Sequence, residues 1–171
     1  MPAILNFDTA GRLLLACTIL YISFTEASFF KVDILLINST LSANTEEDMY
    51  ATLDIEILDL FNGNMEFIKN GACPTYVKRG RDVQLLRSVA LPTGILNDVD
   101  LVVYDYDLQD GDILVMCTDG VIDSNKEYLN KHLWLKYLLE DIEVNDAQKI
   151  ADIIIGEAID NDFGVQKDDM T

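Results

Sequence analysis

Two stretches of patterned residues joined by an Asn-Gly pair constrain the fold of this chain more than any other feature. Thr52-Leu53-Asp54-Ile55-Glu56-Ile57 alternates polar and apolar side chains, and Met65-Glu66-Phe67-Ile68-Lys69 resumes extended patterning beyond Asn62-Gly63. Successive side chains of a strand point to opposite faces, so the first stretch predicts a strand with one wet face. Asn-Gly tolerates the positive φ of a tight turn, so a β-hairpin follows. Thr75-Tyr76-Val77-Lys78 and Val83-Gln84-Leu85-Leu86 flank Arg79-Gly80-Arg81-Asp82 and predict a second hairpin with a longer loop. Residues 102–106 are β-rich, and Gln109-Asp110-Gly111-Asp112 turns into the apolar run 113–117, expected to be a central strand. The middle of the chain is therefore read as antiparallel sheet.

Helical signals lie on either side of it. Residues 11–42 mix Leu, Ile and Ala with few breakers and predict one or two packed helices, so the segment 1–24 is read as helical. A helix over 128–141 would present Leu133, Trp134, Tyr137 and Leu138 on one face, and a second over 146–160 would be capped by Asn145. Helices, then antiparallel strands, then helices imply an α+β fold in which β-sheets pack against helices.

The 171 residues carry 30 acidic against 12 basic side chains, a net charge of -18, and half of them are hydrophobic. Such a chain folds as one domain and repels phosphate backbones and anionic headgroups, so nucleic acid is not an expected partner. Cys17, Cys73 and Cys117 are odd in number and lack Cys-x-x-Cys spacing, which argues against a disulfide framework or a zinc site and for a reducing, cytoplasmic setting. Each is read as a small buried apolar residue. The apolar stretch 13–24 is too short to cross a bilayer and has no secretory-signal pattern, so no membrane contact is expected from this chain.

Chemistry concentrates in Asp110-Gly111-Asp112-Ile113-Leu114-Val115-Met116-Cys117-Thr118-Asp119-Gly120-Val121. An apolar strand there delivers a carboxylate into a glycine turn. A strand buried on both faces would hold Asp119 rigidly, and Gly120 would keep the space beside it clear, which suits a hard divalent cation. Local physics equally allows Asp119 to cap the turn that follows. Asp105–Asp112 resembles a calcium loop only in composition, because the glycine falls one residue late and Met116 stands where the closing glutamate belongs. With His132 the only histidine, no nucleophile, base and orienting group are evident, and His132 is placed on a helix surface.

The Gly-Asp, apolar strand, Thr-Asp-Gly-Val segment resembles the metal-dependent serine/threonine protein phosphatases, the PP2C-like family, in its stage II sporulation protein E branch. Further landmarks follow in that family's order: Glu47–Asp54, Asn70-Gly71-Ala72-Cys73-Pro74, Leu91-Pro92-Thr93-Gly94-Ile95-Leu96 and Asp168-Asp169-Met170-Thr171. The resemblance covers residues 25–171 and implies a partial PP2C-like α/β sandwich with a two-metal site for Mn2+ or Mg2+. It assigns metal ligation to Asp119 and Asp168, with Asp169 as a neighbouring candidate. Without the resemblance, Asp168 and Asp169 read as an acidic chain end. Gly71, Pro74, Pro92 and Gly94 are read as backbone punctuation.

The resemblance further implies hydrolysis of a phosphoserine or phosphothreonine ester, with a phosphorylated STAS-type anti-sigma-factor antagonist as partner. A second copy of the chain is another candidate partner, and longer family members carry an upstream membrane region. One family element is missing: no Asp-Gly pair occurs before Asp110-Gly111. The chain also stops at Thr171, where the family continues into a closing strand. Truncation at both ends is the expectation, and a catalytically inactive pseudophosphatase acting through protein interaction is the alternative.

Overall fold

The computed structural model describes residues 15–22, 28–43, 50–59, 62–87, 89–96, 103–162 and 170–171. They divide into two units, Met1–Ala72 with Ser88–Leu108 and Cys73–Arg87 with Gln109–Thr171. Among the described residues no helix is long and apolar enough to cross a membrane.

The first unit holds strand β1 (Leu15–Ile22), helix α1 (Ser28–Ser42), β2 (Ala51–Leu58), β3 (Asn64–Asn70) and β6 (Tyr104–Asp107). Its sheet order is β1-β2-β3-β6. β1 runs parallel to β2, from Leu15 beside Ala51 to Ile22 beside Leu58. Parallel neighbours need a crossover, and α1 supplies it. The helical expectation for residues 1–24 therefore fails over Leu15–Ile22, which form a strand. A uniformly apolar run does not distinguish helix from buried strand by periodicity, and Thr18, Ile19, Tyr21 and Ile22 favour extended backbone.

β2 and β3 form the predicted hairpin, with Asp54 opposite Lys69 and Leu58 opposite Met65. At its turn Gly63 takes φ 77°, and the Asn62 side chain accepts from the Asn64 N–H at 2.8 Å. One sheet face packs Leu53, Ile55, Ile57 and Ile68 with Ile34 of α1. The opposite face, expected to be wet, is buried: Asp54 is 6% exposed, Glu56 0% and Lys69 1%. Lys69 donates to Asp54 and lies 3.7 Å from Glu56, so the opposing charges make that burial tolerable.

The landmark glycines act on backbone geometry. Gly71 has φ 66°, and a Cβ there would lie 2.4 Å from Pro92 Cγ. Buried Asn38 of α1 donates to the Leu96 carbonyl at 3.0 Å and accepts from the Gly94 N–H at 2.8 Å. That pair of bonds fastens the Pro92–Leu96 loop to the helix.

The second unit contains β4 (Thr75–Arg79), β5 (Asp82–Leu86), β7 (Ile113–Val115), α2 (Asp119–Ile122), α3 (His132–Asp141) and α4 (Ala147–Asn161). Its sheet order is β5-β4-β7, all antiparallel. The β4–β5 loop is tighter than expected, because Arg79 pairs with Asp82 and Gly80 supplies φ 61° at the turn. β7 is shorter than expected and partly exposed, and among the described residues it stands at the end of the sheet order rather than at its centre. Five apolar residues in a row report burial without reporting how many strands flank them.

The helices of this unit begin slightly off their expected positions. α3 starts at His132 and buries Trp134, Leu135 and Leu139, while Tyr137 is 45% exposed and contacts Tyr128. The buried face thus lies about one residue on from the expected Leu133, Trp134, Tyr137 and Leu138 stripe. α4 is capped by Asp146, whose carboxylate accepts from the Lys149 N–H at 2.9 Å, rather than by Asn145. Tyr76, Val121, Trp134, Leu135, Ile150 and Ile154 belong to the core of the unit. Buried Lys78 donates to the Leu139 carbonyl at 2.7 Å, satisfying an acceptor near the end of α3.

Candidate metal centre

Asp119 opens α2 at the point where the chain leaves β7. Thr118, in extended backbone with ψ 165°, is the residue before the helix. Its carbonyl accepts from Val121 N at 3.2 Å, and Asp123 N donates to the Asp119 carbonyl at 2.7 Å. These bonds fold the chain back within one turn, while Val121 and Ile122 anchor that turn in the core. The resulting geometry leaves the Asp119 carboxylate exposed. Its Oδ1 accepts from the Gly120 N–H at 3.1 Å. Asp119 thus meets part of the turn-capping expectation and retains a second oxygen with no hydrogen bond to the described residues.

Thr118 carries a second function in this loop. Its N–H donates to the Thr171 carbonyl at 3.1 Å, and its Oγ1 accepts from the Thr171 N–H at 3.1 Å. Met170 packs against the core of the same unit. The Thr-Asp-Gly loop and the end of the Asp-Asp-Met-Thr element are therefore adjacent. Asp168 and Asp169 themselves lie outside the described residues.

Ahead of β7, the calcium-loop look-alike is occupied by an ion pair. The Arg79 guanidinium binds Asp112 through Nε–Oδ1 at 2.8 Å and NH2–Oδ2 at 2.6 Å, and Asp112 also accepts from the Gln109 N–H at 2.8 Å. Arg79 is the largest cause holding the Asp112 carboxyl below its ordinary range, against the opposing effect of burial. Gly111 turns with φ 87°, and Asp112 N donates to the Gln109 carbonyl at 3.0 Å. Both carboxylate oxygens of Asp112 are already satisfied, which confirms a strand-turn-strand segment here rather than a cation loop.

Among the described residues, no three His, Cys, Asp or Glu side chains gather as a ligand set. The donor chemistry nevertheless fits a hard cation. Asp119 offers an exposed carboxylate oxygen, and its loop adjoins a segment with two more carboxylates in sequence. His132 is half-buried at the start of α3, and burial is the chief cause lowering its pKa, followed by the Arg87 charge.

Sequence reasoning missed Thr118, the Arg79–Asp112 fork and the buried Asp54, Glu56 and Lys69 group. The last was accessible in principle. Counting outward from Asn62-Gly63 sets Glu56 opposite Lys69, and the observed register is offset by two residues so that Asp54 stands there, with all three side chains on one face. The contact between Thr118 and Thr171 spans 53 residues and has no local signature.

The family described as Stage II sporulation protein E (SpoIIE) matches residues 32–171. Stage II sporulation protein E of Bacillus subtilis is 39% identical over 141 residues, covering 82% of this chain and 17% of that relative. The solved PP2C phosphatase domain with a fragment of the regulatory domain of the cell fate determinant SpoIIE from Bacillus subtilis superposes with TM-score 0.74. It is 38% identical and is matched over 82% of this chain and 42% of its own. A manganese-presoaked structure of the SpoIIE phosphatase domain gives TM-score 0.66 at 36% identity, covering 87% of this chain and 65% of its own. The mixed α/β architecture with antiparallel sheets is that of PP2C phosphatase domains.

Proposed function

The chain belongs to the stage II sporulation protein E family, and from that membership we propose that it acts as a metal-dependent phosphatase of serine- and threonine-phosphorylated proteins. The observation that carries the reading is the paired hydrogen bonding of Thr118 with Thr171. It brings the loop of Asp119 to the end of the segment bearing Asp168 and Asp169, which stand three and two residues before Thr171 in sequence.

In this proposal Asp119 and Asp168 hold the divalent ions, manganese or magnesium, and Asp169 is the neighbouring candidate ligand. When bound, such ions supply the Lewis-acid charge that assists hydrolysis of a phosphate ester. The chain contributes oxygen donors and fixes their loop. Gly120 gives its N–H to one Asp119 oxygen, and buried Val121 and Ile122 resist displacement of the turn. Thr118 ties the second ligand segment to the first.

The substrate proposed is a serine-phosphorylated STAS-type anti-sigma-factor antagonist, which would place the activity in sigma-factor control during sporulation. The acidic surface of the chain is consistent with a protein rather than a nucleic-acid partner. Self-association is a further proposal, as is a membrane tether in a longer polypeptide around a cytoplasmic phosphatase unit.

A second reading is a pseudophosphatase acting by protein interaction. The discriminating experiment compares phosphate release from a serine-phosphorylated STAS protein and from an unrelated phosphoserine peptide in manganese. Faster release from the STAS protein supports the specific reading. Binding of the STAS protein without phosphate release supports the second.

A further inference from the structure

Asn-Gly pairs stand at both ends of β3, Asn62-Gly63 just before it and Asn70-Gly71 at its close. Where glycine follows asparagine, no Cβ crowds the next main-chain nitrogen, so that nitrogen can close on the side-chain amide. The fold sets the two pairs in opposite surroundings.

Asn62 is exposed at the turn between β2 and β3. Its Oδ1 accepts from the Asn64 N–H at 2.8 Å. That bond closes a small ring of atoms containing both Asn62 Cγ and Gly63 N, so it keeps the side-chain amide next to the nitrogen that attacks it. The same Asn64 N–H draws electron density from Cγ and stabilises charge on Oδ1 as a new bond to Cγ forms. One contact opposes the reaction: Gly63 N donates to the Asp59 carbonyl at 2.9 Å. It must open first, and an exposed turn opens at far lower cost than the sheet unfolds.

Asn70 has none of this freedom. It is 1% exposed, its Nδ2 donates to the Leu91 carbonyl at 3.3 Å, and Gly71 N donates to the Ala90 carbonyl at 3.0 Å. Gly71 also lies so close to the Pro92 ring that a Cβ has no room there. Both reacting groups are thus held by main-chain carbonyls and shielded from water.

We infer that Asn62 is a deamidation site, a spontaneous modification of the folded chain from which Asn70 is protected. Gly63 N gives its proton to hydroxide and bonds to Asn62 Cγ. The Cγ–Nδ2 bond breaks, and Nδ2 takes a proton from water and leaves as ammonia, which regenerates hydroxide and leaves a cyclic imide. Water then adds to either imide carbonyl. Cleavage between Cγ and Gly63 N gives aspartate, whereas cleavage between the Asn62 main-chain carbonyl carbon and Gly63 N gives isoaspartate, whose main chain runs through Cγ. A water is consumed and an ammonia released, with no change of oxidation state. Either product puts a new carboxylate in the turn. Isoaspartate also lengthens the main chain by a methylene beside Gly63, whose carbonyl accepts from the Leu108 N–H at 2.9 Å.

The inference is independent of the phosphatase reading, because its readout is the covalent structure of the chain. The full chain is held at mildly alkaline pH, either folded in buffer or unfolded in guanidinium chloride. Aspartate and isoaspartate at each pair are then followed over time by peptide mass spectrometry. In the denaturant the two pairs should convert at similar rates. In the folded chain Asn62 should convert more than about tenfold faster than Asn70. Asn62→Ser, which keeps an acceptor for the Asn64 N–H, should abolish the early product and leave Asn70 as slow as before. A folded chain in which Asn70 converts as fast as Asn62, or in which Asn62 stays intact over the time that converts it in denaturant, overturns the inference. The wild-type time course decides the question even where the serine variant fails to fold.

Discussion

Thr118 and Thr171 clasp each other through two hydrogen bonds, one between main chains and one from the Thr171 N–H to the Thr118 hydroxyl, each 3.1 Å long. The clasp acts on a residue directly before one proposed metal ligand and three residues after another. Thr118→Val keeps the side-chain shape and removes the acceptor, while Thr118→Ser keeps the acceptor. A hydrogen bond of this kind contributes about 0.5–1.5 kcal/mol, so Thr118→Val should weaken manganese binding by roughly 2- to 12-fold. Thr118→Ser should restore it. Calorimetric titration of both variants measures the difference; equal affinities for valine and serine would remove Thr118 from the site.

The buried Asp54, Glu56 and Lys69 group predicts an asymmetric response to mutation. Lys69→Met leaves two carboxylates in the interior without their cation and should destabilise the chain by about 3–5 kcal/mol. Replacing the set together, with Asp54→Asn, Glu56→Gln and Lys69→Met, removes the uncompensated charge and should recover a large part of that loss. Urea unfolding of the single and triple variants tests the difference. A triple variant less stable than Lys69→Met would contradict the charge-compensation explanation for this buried face.

Asp112 makes the stability of the second unit sensitive to acid. The Arg79 guanidinium is the largest cause lowering its folded pKa below the ordinary value of 3.8, and the Gln109 N–H acts in the same direction against burial. Because the folded value is the lower one, the ionised pair contributes stability above pH 3.8 and loses it as pH falls through the folded pKa. Asp112→Asn lacks this contribution at every pH. The stability gap between wild type and variant should be widest near neutrality and close in acid, as followed by thermal unfolding across the acid range.

Gly71 and Gly80 separate steric crowding from backbone strain. Both have positive φ, but an added Cβ at Gly71 meets the Pro92 ring, whereas at Gly80 it meets nothing within 4 Å. Gly80→Ala should cost about 1–2 kcal/mol, the left-handed penalty alone. Gly71→Ala should cost more, because Pro92 or the backbone must also shift. Denaturant midpoints of the two variants give the comparison, and equal losses would contradict the assigned crowding.

Local chemistry made much of this fold readable. The first hairpin follows from alternation around Asn62-Gly63, the second from turn residues around Gly80, and α4 from a helical apolar period, although its cap is Asp146 and not the expected Asn145. β1 was misread because an apolar run lacks a phase that separates helix from buried strand. The face of Asp54 and Glu56 was misread because the cation that permits its burial sits on the neighbouring strand. At the candidate site, the acid-to-glycine turn pointed to Asp119, and resemblance added Asp168 and Asp169. The Thr118–Thr171 clasp depends on packing between distant segments, which periodicity does not encode.

Manganese-dependent hydrolysis of a small aryl phosphate ester by the wild-type chain and by Asp119→Asn is the most direct test of the central claim. The prediction is turnover that rises with manganese and falls in the variant by at least about 10- to 100-fold, the loss that follows even from removing an outer partner of a metal ligand. The variant should keep its fold by circular dichroism. Equal manganese-dependent turnover in the two chains would contradict the assignment of Asp119, and a folded wild-type chain with no turnover would contradict the phosphatase reading itself.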